Sequence, residues 1–213
     1  MNAPSGRDIV GVVLGAGSSR RLGRPKQTLP LGASTVLGTT MRHVVESSLD
    51  RIVLVVGHES DEALAGVDAG RAEVAYNAQY GTGCASSLLA GLDEAKSCDA
   101  LVMILGDMPG VTADTIDRLV DQWRSDRTFG AIVSYRGALG HPLLFSSQAF
   151  DELRTLHGDK AVWKIVDREP EESMQRVRID EPLPGDVDTW SDYVAVCEAF
   201  EYAPPEGLVP VSD

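Results

Sequence analysis

The chain has 213 residues, 43% hydrophobic and 24% charged, which fits one sizeable globular domain and is short for two. Its formal net charge of −13 repels phosphate backbones and argues against a nucleic-acid partner, and no apolar run approaches the roughly 20 residues needed to cross a membrane. Met1–Asp8 is polar and no secretory signal, and Cys84, Cys98 and Cys197 lack disulfide or metal spacing, so a cytoplasmic protein is expected.

Taken in order, Asp8–Leu14 (DIVGVVL) reads as a buried strand that runs into a glycine-rich segment, Gly15–Gly23. Thr35–Ser48 carries apolar residues at helical spacing, and Arg51–Gly57 and Ala72–Tyr76 read as a second and third strand. Ser86–Ala95 is a helix and Ala100–Leu105 a fourth strand. Thr112–Trp123 is an amphipathic helix with Thr112 as its cap, and Gly130–Tyr135 is a fifth strand. Gly137–Ile179 is less regular, a short sheet extension plus two helices, and Gly185–Phe200 returns to a turn and a helix. Ala203–Asp213 (APPEGLVPVSD) is proline-rich without periodicity and is expected to be mobile.

Near-continuous apolar strands alternating with helices predict an α/β fold: a single doubly wound, mostly parallel sheet with helices on both faces. One domain over 1–202 and a tail over 203–213 follow. Such sheets bind ligands beyond the carboxyl ends of their strands. The segments that follow the strands, Gly15–Gly23, Gly57–His58, Asn77–Gly83 and Gly106–Pro109, would all meet at that edge.

The first of these loops, Leu14 to Lys26, reads LGAGSSRRLGRPK. Glycines between a strand and a helix free backbone N–H groups for phosphate oxygens. The dinucleotide pattern fails, because it needs glycine at Arg20, and the P-loop fails, because Pro25 precedes Lys26 and Gln27 follows it. The loop also holds the densest basic cluster of an acidic chain, Arg20, Arg21, Arg24 and Lys26.

Leu14-Gly-Ala-Gly-Ser-Ser-Arg-Arg-Leu-Gly23 followed by Pro25-Lys26 resembles the LAAGxSxRMGxxK signature of the MobA-like nucleotidyltransferases, in particular their CTP:molybdopterin cytidylyltransferase branch. The similarity runs through Val56-Gly57-His58, Asn77, Gly81–Leu88, Gly106-Asp-Met-Pro109, Gly140-His-Pro-Leu-Leu-Phe145, Gly158-Asp159 and Asp186-Val-Asp-Thr189. The resemblance implies transfer of a nucleotidyl group, CTP favoured, to a phosphorylated small molecule such as molybdopterin, with Mg²⁺ as cofactor. It assigns Arg21, Lys26 and Asp107 to catalysis. Leu14, Gly15, Ala16, Gly17, Ser18, Ser19, Asn77 and Ser86 would join them around the nucleotide, Asp107 and Asp188 would hold the metal, and Ser87, His141 and Asp159 would face the acceptor. On their own residues, Asp107 also reads as a turn aspartate before Pro109, Asp188 as a helix cap before Thr189, and His141 as a structural histidine.

The chain departs from the pattern at Gly15 in place of alanine, at Cys84 in place of methionine, and at Gly158-Asp-Lys-Ala-Val-Trp163, where GDxGAR is usual and the glycine and arginine are lost. The last change bears on the acceptor, and Lys160 or Lys164 could restore the lost charge. Three other readings therefore stand beside molybdopterin: another phosphorylated acceptor, an NAD(P)H-dependent reductase of the nicotine-blue type, or a non-catalytic partner in molybdoenzyme maturation.

Overall fold

The computed structural model describes residues 8–17, 19, 22–57, 60–158 and 161–208. The chain forms β1 (Ile9–Leu14), a two-stranded ribbon of β2 (Pro30–Leu31) and β3 (Ser34–Thr35), then α1 (Val36–Glu46) and β4 (Arg51–Val56). Next come α2 (Ser60–Ala65), β5 (Glu73–Tyr76), α3 (Cys84–Ala95), β6 (Ala100–Leu105) and α4 (Ala113–Asp126). The second half holds β7 (Gly130–Tyr135), β8 (Ala138–Ser146), α5 (Phe150–Leu153), α6 (Ala161–Arg168), β9 (Met174–Ile179) and α7 (Trp190–Ala199).

The main sheet has seven strands in the order β5-β4-β1-β6-β8-β7-β9. The β1–β4, β1–β6, β4–β5 and β7–β9 pairs are parallel, and β8 runs antiparallel to β6 and β7. Strands buried on both faces need near-continuous apolar residues, and β1, β6 and β4 beyond its half-buried first residue Arg51 carry them. One face packs on α1, α2 and α4 through Leu37, Met41, Ala63, Ile116 and Leu119. The other packs on α3, α5 and α6 through Leu88, Leu92, Leu153, Val162 and Ile165. A third cluster, Leu22, Leu29, Val36, Val187, Tyr193 and Cys197, binds α7 to the ribbon and to the end of the glycine loop. Leu208, in the segment read as a tail, packs against that cluster.

The helix starts have local causes. The Thr35 hydroxyl accepts from Gly38 N–H at 3.0 Å and opens α1, and the Thr112 hydroxyl accepts from Thr115 N–H at 3.2 Å and opens α4. The second half departs from expectation. Where a short extension is expected, β8 is a nine-residue strand placed inside the sheet. Its cause is a two-residue hairpin turn, Arg136-Gly137, both at positive φ (47° and 94°), which folds β8 back along β7. The helix expected from Ser86 begins at Cys84. Among the described residues no helix is long and apolar enough to cross a membrane.

Candidate active site

The segments that follow β1, β5 and β6 meet at one end of the sheet around a cleft of about 670 Å³. At its base the glycine loop is tied to its neighbours: Gly15 N–H donates to Val55 O at 2.8 Å, and Gly106 N–H donates to Leu14 O at 3.0 Å. A side chain at Gly15 would come within 3.1 Å of the Val55 carbonyl, so alanine, usual in the resembled signature, fits here only if that neighbour yields. Gln27 is buried, and its amide donates to Gly15 O at 3.0 Å and Gly17 O at 3.1 Å. Carbonyl oxygens repel phosphate, so Gln27 ties off two of them while Ala16, Gly17 and Ser19 stay on the cleft wall. The Ser19 hydroxyl accepts from Lys26 N–H at 2.8 Å and closes the loop.

Lys26 then turns into the cleft. Its ammonium is in contact with the Asp107 carboxylate and lies 2.8 Å from Asp188 Oδ1. The Lys26 and Asp107 side chains are 12% and 13% exposed, against 39% for Asp188. Asp107 follows β6, and its backbone carbonyl accepts from Val187 N–H at 3.1 Å, which ties the Asp186–Asp188 segment to it. Asp188 does not cap the helix that follows it: Thr189 does, leaving the Asp188 carboxylate for Lys26.

Burial drives the Lys26 ammonium toward losing its proton, but Asp107 and Asp188 outweigh that and hold its pKa above the ordinary value. Burial raises the Asp107 carboxyl, the Lys26 ammonium opposes the rise, and nearby Asp186 adds to it. Two carboxylate oxygens thus converge on one point of positive charge. Hard oxygen donors in that number fit Mg²⁺, which takes one or two carboxylates and fills its octahedron with phosphates and water. No group of three or more His, Cys, Asp or Glu side chains able to hold a metal occurs among the described residues, so the remaining ligands would come from substrate and solvent.

The opposite wall is less charged. Met103, Leu105, Val162, Trp163 and Cys84 line it together with Ser87 and His141. His141 reaches it through a bulge: Ile132 pairs with Leu143 and Val133 with Gly140, so His141 and Pro142 stand outside the ladder. Proline has no N–H to lose there, and the His141–Pro142 peptide is cis. The imidazole is 7% exposed and edge-on to Trp163 at 5.9 Å, and its Nδ1 has no hydrogen-bond partner. Burial lowers its pKa to about 4, so the ring is neutral near pH 7. Asn77 and Ser86 are not among the lining residues. Asn77 is buried and donates to the Ser86 and Ser87 hydroxyls at 2.9 and 3.0 Å, pinning the first turn of α3.

Ser18, Arg20, Arg21, His58, Asp159 and Lys160 lie outside the described residues. Of the expected site, Leu14, Ala16, Gly17, Ser19, Lys26, Ser87, Asp107, His141 and Asp188 meet at one cleft. Gly15 lies beneath it. Gln27, Tyr80, Trp163 and Asp186 line it as well. Trp163 and Asp186 fell in segments the sequence had marked, the departure at Ala161-Val-Trp163 and the Asp186–Thr189 motif, whereas Gln27 and Tyr80 were not singled out.

Residues 11–174 match the MobA-like NTP transferase domain. The chain belongs to that family. As a MobA-like NTP transferase it is a nucleotidyltransferase. It is 30% identical over 170 residues to the purine catabolism protein PucB of Bacillus subtilis, which covers 74% of this chain and 80% of PucB. It is 29% identical over 137 residues to the molybdenum cofactor cytidylyltransferase of Escherichia coli, covering 63% of this chain and 68% of that enzyme. The crystal structure of Rv0371c from Mycobacterium tuberculosis superposes with a TM-score of 0.82 at 36% identity, over 91% of this chain and 100% of that one. A second structure of Rv0371c is a complex with manganese.

Proposed function

We propose that this MobA-like transferase moves the CMP group of CTP onto the phosphate of a molybdopterin-type acceptor and releases pyrophosphate, in the cytoplasm. The carrying observation is the meeting of Asp107 and Asp188 on the Lys26 ammonium beside the glycine loop. Ala16 matches the alanine of the cytidylyl-type loop, and the similarity to the molybdenum cofactor cytidylyltransferase supports the same branch.

The chemistry asks little of an acid or base. An acceptor phosphate oxygen, already anionic, attacks the α-phosphorus as the bond to the β-phosphate oxygen breaks. What remains is orientation and charge neutralisation. The loop residues Ala16, Gly17 and Ser19 seat the triphosphate, and Lys26 supplies fixed positive charge where the pyrophosphate leaves. By resemblance, Ser18 and Arg21 would extend this cradle. Asp107 and Asp188 would hold Mg²⁺, which supplies charge neutralisation on the phosphate oxygens. Ser87 and His141 would face the acceptor, with neutral His141 offering a hydrogen bond rather than charge, and Asp159 would join them by resemblance.

One observation favours a different phosphorylated acceptor. Val162 and Trp163, which stand where the resembled GDxGAR pattern has Ala-Arg, both line the cleft, and loss of the arginine removes a positive charge that would meet the phosphate of a molybdopterin-type acceptor. The test is thermal stabilisation by CTP, GTP, ATP and NADPH with and without Mg²⁺, followed by pyrophosphate release with a panel of phosphorylated acceptors. A ligand at a hundredfold excess over Kd stabilises by about 2.7 kcal/mol. Mg²⁺-dependent stabilisation by CTP supports the proposal, and pyrophosphate release with a non-pterin acceptor alone moves it to the second reading. Stabilisation by NADPH alone, indifferent to Mg²⁺ and to Asp107→Asn, overturns both in favour of a reductase.

A further inference from the structure

Asp192 lies in the first turn of α7, outside the cleft lining, and no role in the chemistry attaches to it through the family resemblance. Its bonds nevertheless run toward the site. One carboxylate oxygen, Oδ2, accepts from Thr189 N–H at 2.7 Å, from the Thr189 hydroxyl at 2.8 Å and from Asp188 N–H at 3.2 Å. The Thr189 hydroxyl in turn accepts from Asp192 N–H at 3.3 Å, which completes a capping box. A box of this kind needs only the N-cap N–H and hydroxyl. The bond to Asp188 N–H lies outside that requirement and grips the residue whose side chain meets Lys26.

The segment is held at its other end as well, since Val187 N–H donates to the Asp107 carbonyl and the Val187 side chain is fully buried. Asp188 is thus suspended between two fixed points, one on Asp107 and one on Asp192. Of the two carboxylates, Asp107 is 13% exposed just beyond a strand end, whereas Asp188 is more than a third exposed, so it is the partner that needs external restraint.

We propose that Asp192 is a positioning residue for the carboxylate pair: it fixes the backbone at Asp188 so that its carboxylate meets Asp107 at one cation position. The inference rests on the reading of Asp107 and Asp188 as metal ligands and adds to it the group that sets their spacing. Partners of this kind, one shell removed from a metal, change affinity by about 10–100-fold when lost.

The test is the affinity of the full chain for Mn²⁺, read as loss of the free-ion EPR signal during titration, beside the thermal midpoint of each variant. Asp192→Ala and Thr189→Ala each remove one half of the box, but only the first releases Asp188 N–H. The expected result is Mn²⁺ binding by the wild type, none by Asp107→Asn, about tenfold weaker binding by Asp192→Ala, and a change within about threefold for Thr189→Ala and Asp192→Asn, whose amide oxygen still accepts. Wild-type affinity in Asp192→Ala, or equal losses in Asp192→Ala and Thr189→Ala at equal thermal destabilisation, overturns the positioning role while leaving the metal reading intact. Wild-type protein that binds Mn²⁺ no better than Asp107→Asn overturns the metal reading and the inference with it.

Discussion

With Lys26 replaced by methionine, the buried Asp107 keeps the influence that raises its pKa and loses the ammonium that opposes it. The Lys26→Met variant should therefore lose kcat by about 10²–10³-fold, the cost typical of one fixed charge-stabilising group; a loss below tenfold in stopped pyrophosphate assays would remove Lys26 from the chemistry. Gln27 makes a sharper case, because a carboxylate cannot donate to the Gly15 and Gly17 carbonyls. Gln27→Glu is expected to raise KM for CTP by more than about tenfold while Asn, one methylene short, costs KM and stability less; equal KM in wild type and Gln27→Glu would refute the loop-tying role.

His141 titrates with a calculable sign. Its folded pKa, about 4, lies below the ordinary 6.5, so the unfolded chain binds the extra proton first. The stability involved is complete above pH 6.5 and drains away as pH falls toward 4, up to about 3 kcal/mol. Urea unfolding of His141→Phe between pH 7 and 4.5 should show a shallower loss than wild type, and parallel curves would contradict the burial of a neutral ring. At this scale the sequence pointed at Lys26, Asp107, Asp188 and His141, because each stands in a short motif. Gln27 and Asp192 escaped, since a carbonyl tied by a neighbouring amide, or a carboxylate reaching back along its own turn, leaves no mark in residue spacing.

At the scale of elements, α3 lies so close to β1 and β4 that a Cβ at Gly91 would come within 2.2 Å of Val12 Cγ1 and 3.1 Å of Val55 Cγ2. Gly91→Ala trades better helix propensity for overpacking, and overpacking wins: about 1–3 kcal/mol is lost, or roughly 2–12 °C in Tm for a chain of this size. An unchanged or raised Tm in calorimetry would mean the helix can lift without cost. Most of the first half of the fold was readable because β1, β6 and all of β4 after Arg51 are apolar and α4 carries its threonine cap. β8 was hidden for two reasons: its hairpin uses Arg136-Gly137 rather than the usual Asn-Gly or Asp-Gly, and the proline at its bulge argues against an interior strand. β9 was hidden because its exposed positions carry Arg176 and Arg178, as befits an edge.

For the molecule as a whole, net charge sets the terms of encounter. A chain of formal charge −13 repels an incoming nucleoside triphosphate at long range. Raising ionic strength from about 10 to about 150 mM shortens the screening length from about 30 to 8 Å, so kcat/KM for the nucleotide should rise over that range. A steep fall would show that a local basic field, rather than the whole charge, governs association. The overall architecture was legible from alternation of strand and helix patterns. The convergence of the site was legible only as a rule about strand ends, because the partners of Lys26 stand far along the chain.

That separation has a bearing on how the protein comes into being. Lys26 and Asp188 are 162 positions apart, so ribosomes adding 5–20 residues per second need roughly 10–30 s between the two. Throughout that interval the nascent glycine loop has neither Asp188 nor the α7 cluster to hold it. The carboxylate pair is therefore completed last, long after the glycine loop, its Gln27 tie and Asp107 have been made.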